Sequence, residues 1–398
     1  MKNLFLIVFI FLSGLSLFAA DGYSFRNLTV EQGLTSNTIN CIHRDYKNFI
    51  WLGTANGLNR FDGTAILFFD EFKDKSIVSI IEPDTTSLYI LSERELYKYD
   101  RRLRKNIRLS FTNDDNVSFK KLAFDKNENV YILSDKGLYL LKKNSLTASL
   151  VKNPSFEKKI ITDIYVDDKN NCWLTCLGAL IKYNPDSNQT LNFENPSDSK
   201  LSCLISVNNK LYIGTQSSKV ISFDTNSDTF TDVASIGTSY IQTIAYHNDK
   251  LYIGTNGNGL KVLNLKDKNI STIAQNTSQK NTLSSNAIYS LLIEDNMFWV
   301  GTFSGGLNYM PSHENDFKTL DNRYFNSSFL NIRSFHIDND GLGVYGARNG
   351  FIYNQNGEFQ WFTIDNTPDL KSNIILSILP FNGDYLIAVS YTHLTLPT

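Results

Sequence analysis

Histidine and cysteine are scarce in this chain of 398 residues, with five of one and four of the other. Neither sign of charge dominates. Lys and Arg number 38 against 40 Asp and Glu, and no long run of one sign occurs. A nucleic-acid surface needs a basic stripe, so that class is excluded. Beyond the N-terminal segment, no stretch is long and apolar enough to span a bilayer as a helix. The cysteines are Cys41, Cys172, Cys176 and Cys203. In an exported chain they could form disulfides. Cys172 and Cys176, however, share one expected strand, "NNCWLTCLG". Four residues of strand span roughly 13 Å, whereas a disulfide needs Cα atoms within about 7 Å. Buried, small apolar cysteines are the favoured expectation, and the spacing lacks a zinc pattern.

What is abundant is aromatic. Phe, Trp and Tyr make up 13% of the chain, with few helix-like stretches, which leans toward β structure. The length suits two domains. Residues 1–20 read as a secretion signal: Lys2, an apolar run over 4–18, then Ala19 and Ala20.

One stretch, "IWLGTANGLNRFDG" from Ile50, recurs. Its aromatic anchor Trp51 has counterparts at Tyr89, Tyr131, Trp173, Tyr212, Tyr252 and Trp299. Val344 and Leu386 continue the series, and successive anchors lie 38 to 47 residues apart. That is the period of a four-stranded propeller blade. Eleven or twelve residues before each anchor, an apolar-x-x-apolar-x-apolar strand begins, as in "ITDIYV", "IQTIAY" and "IRSFHI". A polar turn rich in Asn and Asp joins the two strands, as hairpin turns require. Each unit thus reads as strand, turn, strand with the aromatic, short loop, and two further strands. Gly53 is expected to make room where the second strand turns, Thr54 to offer a hydroxyl to that turn, and Gly57 to serve the tight connection. A phosphate or catalytic loop would not be copied and degraded so often.

The stretch "GLTSNTINCIHRDYKNFIWLGTANGLNRFDG" and a second copy, "LSSNAIYSLLIEDNMFWVGTFSGGLNYM", resemble the two-component-regulator propeller repeat. The resemblance implies the extracytoplasmic part of a hybrid two-component sensor of the Bacteroidetes type. In such sensors two seven-bladed propellers precede a β-sandwich, a membrane helix, a kinase, a receiver and a DNA-binding module, and oligosaccharides are the usual ligands. The expected architecture is therefore all-β: a seven-bladed propeller over 21–316, closed by an outer strand from "FRNL", then the first blades of a second, incomplete propeller over 317–388. The implied setting is periplasmic, with a homodimer in the whole sensor, no nucleic acid contacted by this region, and membrane contact only through an anchor beyond this chain. Residues 389–398, "VSYTHLTLPT", break the repeat. They match the translation of a transposon-type library adapter, so they are expected to be non-native and the reading frame truncated. A propeller lyase and a secreted protein-binding scaffold are the competing readings.

No catalytic constellation emerges. His43, His247 and His336 fall at or beside one repeat position without a recurring partner, and neither a Ser-His-Asp nor a Cys-His set can be assembled. His313 and His393 complete the five. Carboxylates such as Asp45, Asp125 and Asp167 recur at the turn, which suits Asx turns better than acid–base pairs. "DNDGL" at 338–342 and "DDKNN" at 167–171 fall short of a calcium loop. No cofactor or metal is expected in this chain, nor catalysis by it. Ligand binding is expected at one channel mouth, on the loops that vary while the repeat persists: Asn37, Asn56, Arg94, Lys136, Gln216, Asn256, Asn258 and Phe303. Amides, cations and an aromatic face suit a sugar.

Overall fold

The computed structural model describes residues 23–112, 116–156, 159–196, 199–279, 281–294, 297–310, 331–338, 343–355, 358–381 and 384–390. Residues 1–20, read as a secretion signal, His313, most of the "DNDGL" stretch and residues 391–398 with His393 lie outside them. The chain forms two compact units, Met1–Ser312 and His313–Thr398.

Unit 1 is a ring of seven four-stranded antiparallel blades. The inner strands are Ile39–Arg44, Ile77–Asp84, Phe119–Phe124, Ile161–Val166, Leu201–Val207, Ile241–His247 and Ile288–Glu294. Each packs on the next, and the seventh packs on the first, so the ring is closed. Blade 7 takes its outer strand from the N-terminal side: Arg26–Leu28 pairs antiparallel with Leu307–Met310. Closure of this kind leaves no open flank between first and last blade. Blades 2 and 3 are joined further. Their outer strands, Lys105–Phe111 and Thr147–Leu150, pair in parallel and fuse the two into one eight-stranded sheet.

The apolar-x-x-apolar spacing has a specific cause. In a regular strand, residues three apart face opposite sides. Here every inner strand carries a bulge just after its first residue: Ile39 pairs with Thr54 and Cys41 with Gly53, so Asn40 has no partner in the ladder. The same skip occurs at Ile77/Ser79, Phe119/Lys121, Ile161/Asp163, Leu201/Cys203, Ile241/Thr243 and Ile288/Ser290. One extra residue returns the fourth position to the face of the first. All seven first residues are at most 1% exposed.

Those first residues also explain the glycines. A Cβ on Gly53 would meet the Cys41 thiol of its own blade and stand 2.8 Å from Ile77 Cγ2 of the next. Gly214 stands in the same relation to Cys203 and Ile241, Gly254 to Thr243 and Ile288, and Gly301 to Ser290 and Ile39. Gly53 therefore opens a slot for the neighbouring blade and is not a turn glycine. Gly57 is one, with φ +140°. Where Leu91, Leu133 and Thr175 replace the slot glycine, the blades still form. Thr54 serves the turn as expected: its hydroxyl donates to the Gly57 carbonyl (3.0 Å) and accepts from the Asn56 amide (3.1 Å).

Three of the aromatic anchors are clamped from the turn. Trp51 Nε1 donates to Asp45 (2.9 Å), Tyr131 Oη to Asp125 (3.1 Å) and Trp173 Nε1 to Asp167 (2.9 Å). Each aspartate also accepts the backbone N–H two residues on, the expected Asx turn. Asn48, Glu128 and Asn170 take the left-handed conformation that these turns need. Burial alone would raise the Asp167 pKa. Hydrogen bonds from Asn171, Trp173 and two backbone amides outweigh it and hold the carboxyl below its usual range.

Unit 2 holds a four-stranded sheet, Ile332–Ile337, Gly343–Ala347, Gly350–Gln355 and Glu358–Phe362, and a hairpin of Ile375–Phe381 with Asp384–Val389. Both carry the inner-strand bulge, and Gly346 is the slot for Ile375. The last ladder reaches Val389, which pairs with Ile375, so regular pairing runs one residue into the stretch read as a tail.

Two outcomes are expected. Gly53→Ala should destabilise unit 1 by about 1–3 kcal/mol through overpacking, read as a lower denaturant midpoint at unchanged m-value. A carboxyl held below its unfolded pKa stabilises the fold above that value and loses the contribution as pH falls through the folded pKa. Urea stability should therefore be level above pH ~5 and decline below pH ~4, the ordinary carboxylate value, and Asp167→Asn should remove part of that decline.

Candidate functional site

In six of the seven blades the b–c connection, between the second and third strands, bonds the segment leading into the inner strand, and these contacts lie at one end of the ring. Ala55 N donates to Thr38 O, Glu93 N to Ser76 O, Asp135 N to Ser118 O, Gln216 N to Lys200 O, Asn256 N to Tyr240 O and Phe303 N to Ala287 O. At this end the inner strands enclose a cavity of about 380 Å³. Its wall contains all seven residues that the bulges leave out of the ladder: Asn40, Val78, Lys120, Thr162, Ser202, Gln242 and Tyr289. One backbone device, repeated seven times, thus delivers seven different side chains to one mouth, in keeping with the way bulges re-aim side chains at sites.

Some of these side chains are already engaged. Asn40 Nδ2 donates to Ile77 O (3.1 Å) of the next blade, and Thr162 Oγ1 donates to Thr175 O (3.0 Å). Lys120, Gln242 and Tyr289 make no hydrogen bond or ion pair among the described residues. Tyr289 lies against Phe303 with ring centroids 5.1 Å apart. Tyr240, also on the wall, lies beside Gln216, and its burial raises its pKa. The residues after the bulge hold adjacent blades together. Ser290 Oγ donates to Ile39 O (3.0 Å), and Ser79 Oγ accepts from Leu122 N (3.1 Å). Asp163 accepts from Lys121, Ile164 N and Leu204 N.

Three of the residues expected from sequence adjoin this wall: Gln216 and Asn256 through Tyr240, and Phe303 through Tyr289. Asn37 caps a short turn, accepting from Val30 N (3.0 Å). Arg94 donates to Asn116 and to Val117 O of the following segment. Asn56, Lys136 and Asn258 are exposed on the rim and form no side-chain hydrogen bond among the described residues. Sequence reasoning missed Lys120, Gln242 and Tyr289. Their signal was the second position of the apolar-x-x-apolar strand, which varies while its flanks do not.

The histidines lie elsewhere. His43 approaches Glu82 (3.4 Å) toward the other end of its strand, where burial lowers its pKa against the pull of Glu82. His247 ends its strand beside Asn248. The cysteines are free thiols. Burial pushes Cys41 and Cys203 up to about 12 and Cys176 up to about 11, so none is a nucleophile at neutral pH. The "DDKNN" carboxylate of Asp167 is spent on its turn and on Trp173.

Residues 33–56, which hold the first bulged strand, its Asx turn and the slot glycine, match the profile of the two component regulator propeller family. Within that stretch the chain is similar to one copy of this repeat. No curated protein matches the sequence. Among solved structures, this repeat propeller is similar to the extracellular domains of two putative hybrid two component systems from B. thetaiotaomicron. One is 22% identical, with TM-score 0.63 over 92% of this chain and 52% of that one; the other is 18% identical, with TM-score 0.64 over 92% and 51%. The chain spans about half the length of these two structures. It is also similar to virginiamycin B lyase from Staphylococcus aureus, at 13% identity and TM-score 0.59 over 72% of this chain and 97% of that one. At these identities the likeness is one of fold. No helix among the described residues is long and apolar enough to cross a membrane.

Native protein is expected to resist a thiol reagent such as DTNB, and unfolding in denaturant should release four reactive thiols, counted by absorbance.

Proposed function

We propose that this chain is the extracytoplasmic ligand-sensing region of a hybrid two-component sensor, that its ligand is an oligosaccharide, and that the bulge-lined mouth receives it. One observation carries this reading: a closed ring of seven identical bulges presents side chains that differ from blade to blade, three of them without a partner among the described residues. A free amide, a free ammonium and two neighbouring aromatic rings suit a sugar, which needs hydrogen-bond forks for its hydroxyls and a face for its ring. The family repeat and the extracellular domains of similar fold support the sensor role, and the N-terminal secretion signal supports a periplasmic setting. In the whole protein a membrane anchor and a histidine kinase would follow, the sensor would pair as a homodimer, and occupancy of the mouth would shift that pair between two states to control polysaccharide use.

A lyase reading is weaker. Such an enzyme needs a base at the mouth, and among the described residues the wall holds no histidine, while burial disfavours ionisation of Tyr240.

The test is a thermal-shift screen of the exported chain against plant and host oligosaccharides. A ligand at 100 times its Kd should stabilise the ring by about 2.7 kcal/mol. Gln242→Ala and Tyr289→Ala should abolish that shift while keeping the unliganded Tm. No response to any glycan, or a response indifferent to both variants, would remove the reading.

A further inference from the structure

The bulge in blade 3 differs from the other six. The cavity wall includes two successive residues from each bulge, the unpaired one and the one after it. Of these fourteen side chains, only three are charged: Lys120 and Lys121 from blade 3, and Asp163 from blade 4. Asp163 is buried and fully committed. One oxygen accepts from Lys121 and from Ile164 N (2.8 Å), and the other from Leu204 N (3.0 Å). It therefore acts as the counter-ion of Lys121. Lys120, exposed at the mouth, has no acidic partner among the described residues. Among the described residues the wall thus carries one lysine without a carboxylate partner, beside a second whose partner is buried.

A neutral sugar would leave Lys120 unused. An anionic group on a sugar would pair with it in a charge-assisted hydrogen bond, roughly twice as strong as a neutral one. Enclosure by the ring limits solvent and strengthens the attraction relative to an open surface. Gln242 and Tyr289 stand on blades 6 and 7. One end of an oligosaccharide can therefore meet the lysines while another meets the amide and the aromatic pair.

Resting on the sensor reading above, we propose that the mouth selects acidic oligosaccharides, with a carboxylate or sulfate seated at Lys120 and supported by Lys121. The shared chemistry is a sugar-borne oxyanion. The test uses isothermal titration of the exported chain with tetragalacturonate (carboxylate only) and a chondroitin sulfate tetrasaccharide, against neutral xylotetraose and maltotetraose. The expected result is binding of at least one acidic probe and none of comparable strength by the neutral ones. Affinity should weaken markedly between 50 and 500 mM salt and fall about tenfold or more in Lys120→Gln. Lys120 is exposed and unpaired, so Lys120→Gln should keep the wild-type Tm, and the salt series tests the idea on the unaltered protein. Neutral probes binding as well as acidic ones, or an acidic affinity indifferent to salt and to Lys120→Gln, would overturn the selectivity and leave the oligosaccharide reading intact. Silence from all four probes would overturn the acidic selectivity, and the sensor reading falls only with the wider glycan screen.

Discussion

Everything in the ring depends on how one blade seats against the next. The first residue of each inner strand, an Ile, Leu or Phe at most 1% exposed, presses against the second strand of the preceding blade. Where that strand carries glycine, as at Gly53, Gly214, Gly254 and Gly301, the neighbour's side chain fills the place a Cβ would take. Seven such contacts must close on themselves. The bulge is the second half of the same device. Turning the first and fourth positions to one face buries the first in every blade and the fourth in five of the seven, and the unpaired residue reaches the channel wall.

The architecture was readable because each blade repeats the same solution. Anchors from Trp51 to Trp299 gave seven blades, the turn aspartates gave Asx turns, and "FRNL" gave the closing strand. The bulge was present in the sequence as a spacing of three between apolar residues, which no regular strand explains. Reading that stretch as a plain strand hid which side chains reach the channel. It also gave Gly53 a role in turning the strand, when its role is to admit Ile77. The parallel pairing of Thr147 with Ser110 and of Ala148 with Phe111 had no sequence signal. Outer strands are half exposed, and their alternation does not say which neighbour they meet.

The candidate site follows a division of labour. Backbone geometry is common to all blades, and chemistry is assigned blade by blade at the unpaired position. Of the loop residues chosen for their variability, Gln216, Asn256 and Phe303 adjoin Tyr240 and Tyr289 on the cavity wall. Asn37 and Arg94 are instead engaged in holding the segments that lead into the inner strands. Variability at a surface turn reports freedom from packing, which binding residues share with idle ones. Variability inside a buried, repeated strand is more informative, because packing there would otherwise impose one residue type.

The strand Arg26–Leu28 pairs with Leu307–Met310, at the far end of the ring in sequence, with the Asn27 side chain donating to the Gly305 and Leu307 carbonyls. It is the first piece of the ring to be synthesised, and its pairing is the last to become available. Blade 7 therefore matures late, and contacts of such long sequence separation fold slowly. That blade also bears Tyr289 and Phe303, and the N-terminal segment holds it at the rim: Thr38 Oγ1 donates to Phe303 O, and Gly306 N donates to Asn37 O. A three-residue latch and the aromatic side of the mouth thus share one blade. Loss of that outer strand would leave an open sheet edge on the blade that carries Tyr289 and Phe303.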